Sequence, residues 1–136
     1  MPLEKKCNKL SEIKSNKLLL VEGADAYFFF IWALQAFGVE GIQVMDFGGI
    51  QDLTVYLKTL SGLSNYENVT NIVIARDAEL NPDSAIKNVK NSFKQVLLPI
   101  PPNPFEFTGA NPRTAFMIFP GLKIRLYNPE RWKIYV

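Results

Sequence analysis

Leu18-Leu19-Leu20-Val21 runs straight into Glu22-Gly23-Ala24-Asp25. A short, continuous apolar run with no alternation is how a strand covered on both faces of a parallel sheet reads. Glu22-Gly23 breaks the run. A helix is then expected from about Asp25 to Phe37, with Asp25 as its N-cap and Gly38 just past its end. Tyr27 to Ala33 is apolar around nearly the whole circumference. Such a helix is either sandwiched in a core or faces a partner.

Working outward, the same alternation of strand and helix repeats. Ile42 to Phe47 reads as a second strand, and Gly48-Gly49 turns the chain. Ile50, Leu53, Leu57 and Leu60 recur at spacings of three and four, which predicts an amphipathic helix to about Leu63. Val69 to Ala75 contains Ile72-Val73-Ile74, a third buried strand. Asn81-Pro82-Asp83 is a helix start, with Asn as cap and Pro in the first turn. Ile86, Val89, Phe93 and Val96 give that helix one apolar stripe. A cluster of prolines (Pro99, Pro101, Pro102, Pro104, Pro112) predicts an irregular segment, and Thr114 to Phe119 a fourth strand. Strands alternating with helices of this length imply an α/β fold: a parallel sheet with right-handed crossovers.

Composition narrows the chemistry. The 136 residues suit one domain, residues 1–136, with 48% hydrophobic and 21% charged side chains. A net charge of +2 does not make a cationic coat for nucleic acid, so a polyanion would have to be held by a local site. The chain has no His, which excludes Ser-His-Asp and Cys-His nucleophile systems and His-liganded zinc. Cys7 is the only cysteine, so no intrachain disulfide or Cys-only zinc cluster can form. The basic N-terminus does not read as a signal peptide, and the apolar run 27–34 is far shorter than a membrane span. With one unpaired Cys, a cytoplasmic location and no membrane association are the expectation.

In parallel sheets, ligands sit beyond the carboxyl ends of the strands. The residues there are acidic. Glu22 and Asp25 follow the first strand, Asp46 closes the second, and Asp77 and Glu79 follow the third. If these strands are neighbours, Glu22, Asp77 and Glu79 converge on one edge. Clustered carboxylates repel unless a cation neutralises them, and oxygen-only clusters suit Mg²⁺ or Mn²⁺. The same residues also suit solvated loops or helix N-caps. Gly48-Gly49 reads either as a tight turn or as a backbone cradle for an anion.

These residues resemble the Toprim domain, found in topoisomerases, bacterial primases and overcoming-lysogenisation-defect (OLD) nucleases. Leu-Leu-Leu-Val-Glu22-Gly23-x-Asp25 before an aromatic-rich helix is similar to its first motif. Ile-Val-Ile-Ala-Arg-Asp77-Ala-Glu79 is similar to its Asp-x-Asp motif, and Asp46-Phe-Gly-Gly49 to its second-strand glycine turn. The likeness covers about residues 17–120 and is nearest to small stand-alone relatives of the OLD nucleases. It implies a three-layer Toprim or Rossmann-like fold around a mostly parallel sheet of about four strands. It also implies Glu22 as general acid/base or second-metal ligand, Asp77 and Glu79 as Mg²⁺ (or Mn²⁺) ligands, and Asp25 as an additional ligand. The activity implied is metal-dependent phosphodiester chemistry on nucleic acid, a nuclease-like reaction. Two positions depart from the family pattern. Glu79 stands where Asp is usual, and Arg76 directly precedes Asp77, where it would grip a phosphate or pair with a carboxylate.

Residues 121–136 are basic and aromatic where relatives are expected to continue into an acidic helical part, so a truncated end is a further expectation. This tail reads as an added hairpin or edge strand. Alternatively, Arg125, Tyr127, Arg131, Trp132 and Tyr135 would stack on bases or pair with phosphates. A rival to the enzyme reading is a non-catalytic Toprim-like module with a degenerate metal site, self-associating through the apolar helix 27–34. A receiver-like phosphoacceptor domain fits least well, because it needs a Lys beyond a later strand and Lys123 is poorly placed.

Overall fold

The apolar runs become four strands: β1 (Lys17–Val21), β2 (Ile42–Asp46), β3 (Asn71–Asp77) and β4 (Arg113–Phe119). A computed structural model of the chain describes residues 12–78 and 81–119. The four strands form one sheet in the order β2-β1-β3-β4, and every pairing is parallel. Three helices connect them: α1 (Ala24–Ala36), α2 (Leu53–Leu60) and α3 (Pro82–Gln95). This is the mixed α/β, three-layer arrangement expected of the sequence.

The sheet separates two unequal cores. On one face Leu18, Leu20, Ile72, Ile74, Phe116 and Ile118 meet α2 and α3, with Leu53, Leu60, Val89 and Phe93 fully enclosed. Each such side chain contributes about 1.5–3 kcal/mol on burial. On the other face Leu19, Val21, Val44, Ala75 and Phe119 meet α1 alone. Thr54 and Ser92 hydroxyls bond at 2.8 Å between α2 and α3, so buried Ser92 is satisfied.

The helix ends follow from local chemistry, with one correction. Asn81 Oδ1 accepts the amide of Ser84 at 3.0 Å, and Pro82 opens α3, as expected. The α1 N-cap, however, is Gly23 and not Asp25. Gly23 has φ +90, a left-handed conformation that disfavours any other residue, so the chain turns one residue pair earlier than expected. Asp25 instead sits in the first turn, where a carboxylate complements the positive helix end. At the other end Gly38 donates to Gln35 O and Val39 to Leu34 O, which closes α1 with Gly38 in the left-handed region.

Two other boundaries shift. The second helical segment opens with a 3-10 turn at Ile50–Asp52 and its α-helix ends at Leu60, short of Leu63. β3 runs to Asp77, two residues past its expected end, because β4 stays paired with it as far as Asp77 opposite Phe119. Arg76 and Asp77 are therefore strand residues, whose side chains leave on opposite faces.

The proline-rich segment straps the outer edge of β4. Phe105 N donates to Phe116 O at 2.8 Å, and Thr108 and Thr114 exchange backbone bonds of 2.9 Å. Thr114, fully buried, donates its hydroxyl to Pro99 O at 2.7 Å. Cys7, Glu79, Lys123 and the tail residues Arg125, Tyr127, Arg131, Trp132 and Tyr135 lie outside the described residues.

Candidate functional site

Parallel pairing brings the ends of β1, β3 and β4 to one edge. A cavity of about 240 Å³ opens there, lined by Glu22, Gly23, Asp25, Phe30, Asp77 and Phe119, among others. Glu22 comes from the turn after β1, Asp25 from the first turn of α1, and Asp77 from the end of β3. Three of the four predicted acidic residues thus share one wall. Glu79, the fourth, lies outside the described residues. Among the described residues, no three acidic, His or Cys side chains stand close enough to share one ion.

Arg76 meets Glu22 at this edge, with Nε 3.5 Å from Oε1. The sheet register explains why. Leu18 lies opposite Ile72 and Leu20 opposite Ile74, so continuing the parallel register sets Glu22 opposite Arg76 on the α3 side. Both atoms are shut off from solvent, and at 3.5 Å they meet as a charge pair. Arg76 is anchored further by donating from Nη1 to Ala85 O of α3 at 3.3 Å. Burial pushes the Glu22 carboxyl above its ordinary range. The Arg76 charge and the backbone N–H of Asp77 pull it back only in part, and the Asp77 charge adds to the rise.

Asp46, which the sequence places at a strand end without a role, ties the turns together. Its Oδ1 accepts the amides of Gly23 at 2.9 Å and Gly48 at 2.8 Å. The Gly49 amide donates to Asp52 Oδ2 at 3.2 Å. An anion cradled at Gly48-Gly49 would therefore have to compete with two carboxylates for these N–H groups. The signal for Asp46 was its place as the last residue of a strand beside a glycine turn. Its second partner, Gly23, needed the β2–β1 adjacency to be seen.

No family model, curated protein or solved structure matches this chain. The site is therefore judged on its own chemistry. Its donors are carboxylate oxygens around a cavity of a few water molecules' volume, which suits a hard divalent cation. Arg76 lies outside this lining and supplies its positive charge to Glu22 from the α3 side of the sheet. No helix among the described residues is long and apolar enough to cross a membrane.

Proposed function

We propose that this chain is a Toprim-like domain that takes Mg²⁺ or Mn²⁺ at Glu22, Asp77 and Glu79, with Asp25 beside them, and acts on a phosphodiester of nucleic acid. The observation that carries this reading is the shared cavity wall of Glu22, Asp25 and Asp77 at the carboxyl ends of adjacent parallel strands. A metal bound there would supply charge stabilisation at phosphate oxygens. The protein's own groups do the rest. Glu22, held above its usual range by burial, is suited to carry a proton as general acid or base. Asp77 and Asp25 supply negative charge from two different elements. Arg76, paired with Glu22 on the α3 side, holds that carboxyl in place.

The test is cleavage of single- and double-stranded DNA and RNA with Mg²⁺ or Mn²⁺, comparing the intact chain with Asp77→Ala. Cleavage that needs the metal and is lost in the variant is expected. Equal cleavage by both proteins, or none with either metal, overturns the proposal.

The Arg76–Glu22 pair favours a second reading, a Toprim-like binding module whose metal site is degenerate. Under that reading the guanidinium permanently takes the place of the cation. Failure of the intact chain to bind Mn²⁺ in a calorimetric titration would then accompany the absence of cleavage.

A further inference from the structure

The described residues leave the α1 face of the sheet incompletely covered. Beside α1 an apolar groove of about 450 Å³ runs over the amino-terminal half of the strands, with Leu19, Ile42, Val73 and Met117 on its floor. Phe105 and Phe107 of the proline-rich strap form one wall. Phe28 and Trp32 of α1, the helix on this face, stay more than half exposed. The opposite face is packed by α2 and α3. Parallel sheets are normally buried on both faces, because backbone crossovers deliver a layer to each.

We propose that the missing cover is the segment after β4, residues 121–136, laid back across this groove. Position supports this first. β4 ends at Phe119, whose ring packs against Phe30 of α1 with centroids 5.6 Å apart, and Met117 of the same strand is part of the groove floor. β4 thus ends on the sheet face that carries the groove, at the carboxyl end of the strands whose amino-terminal half the groove covers.

Two of the alternatives for a returning segment are occupied. The outer edge of β4 is bonded to Phe105 and Thr108, so an added edge strand has few free backbone groups to pair with. The other face is filled by two helices. Sequence supports the same route. Pro120-Gly121 is a turn dipeptide, and Leu122, Ile124 and Leu126 then alternate with Lys123, Arg125 and Tyr127. One side of an extended segment 122–127 is thus apolar and the other basic, as a segment with one buried face requires. Length is ample. Residues 121–136 span up to ~53 Å when extended at ~3.3 Å each, whereas β4 itself is only ~23 Å long.

The chain has two tryptophans, Trp32 and Trp132. In the full-length Trp32→Phe variant, Trp132 alone reports on the segment. The expected result is blue-shifted emission, quenched by acrylamide several-fold less than free indole, from a particle that light scattering shows to be a monomer. Adding Ile124→Asp should restore free quenching without loss of far-UV circular dichroism. Hydrogen exchange on the unaltered chain gives an independent reading, with slow amides expected over 122–127. Free quenching of Trp132, fast exchange over 122–127, or protection seen only where the chain is a dimer would each overturn the proposal. The last outcome would assign the groove to a second copy.

Discussion

The Oδ1 of Asp46, the last residue of β2, accepts the amide of Gly23 beyond β1 at 2.9 Å, and the same oxygen accepts Gly48. One carboxylate thus fixes the turn that carries Glu22 relative to the turn that follows β2. Hydrogen bonds to charged acceptors are each worth about 1.5–3 kcal/mol. Asp46→Ala is expected to cost about 2–4 kcal/mol in urea unfolding. Asp46→Asn, which keeps an acceptor oxygen but no charge, should cost less than half of that.

Glu22 and Arg76 predict a metal effect of opposite sign at the two positions. Arg76→Gln removes the cation that pairs with Glu22 and should tighten Mn²⁺ binding about tenfold, ~1.4 kcal/mol. Glu22→Gln should abolish binding. Calorimetry reads both. Weaker binding in Arg76→Gln would show that the guanidinium helps to shape the site rather than to block it.

The raised carboxyl of Glu22 predicts a pH dependence. The folded protein holds the Glu22 proton more tightly than the unfolded chain does, so unfolding releases it. Stability is therefore highest below the ordinary value of 4.5, and this contribution is lost as pH rises through the higher folded value. Relative to Glu22→Gln, the wild-type unfolding free energy should fall with rising pH across that window and then level. A difference that rises with pH instead would mean that Arg76 outweighs burial.

Gly109 sits at φ +77 against the ring of Pro99, and a Cβ there would overlap the ring. Gly109→Ala should cost about 1–3 kcal/mol through overpacking, with the bond from Thr114 to Pro99 disturbed as well. The unfolding midpoint in urea measures this, and Thr114→Val should show a partly overlapping loss.

The two faces of the fold predict contrasting tolerance. Phe93 is wholly enclosed between α3 and the sheet, and Phe93→Ala should cost about 3–5 kcal/mol. Phe37, 81% exposed just past α1, should change stability by no more than about 0.5 kcal/mol on substitution by Ser.

Element order was legible because each strand is an unbroken apolar run and each helix has its own punctuation, such as Asn81-Pro82 or Gly38. The start of α1 was misjudged because Asp25 is a good capping residue, whereas the turn demanded a left-handed Gly23. Strand ends were less legible still. Arg76 and Asp77 look like turn residues, and only the length of β4 holds them in the sheet. The gathering of Glu22, Asp25 and Asp77 followed from parallel neighbours. An Arg76–carboxylate pair was one of two readings open to that residue; that its partner is Glu22 depends on register, which a single sequence does not print.

Every ladder of this sheet is long-range. Lys17 pairs with Ile42 and with Asn71, and Asn71 pairs with Arg113, separations of 25, 54 and 42 positions. None of the four strands is joined to its sheet neighbour by a hairpin, so each pairing must close a large loop before it gains anything. During synthesis, Leu18 to Val21 leave the ribosome first but gain their second neighbour only after residue 77 has emerged. Of the two central strands, the more apolar one therefore waits longer for its full pairing, and slow folding with transient stickiness is built into the order in which its partners arrive.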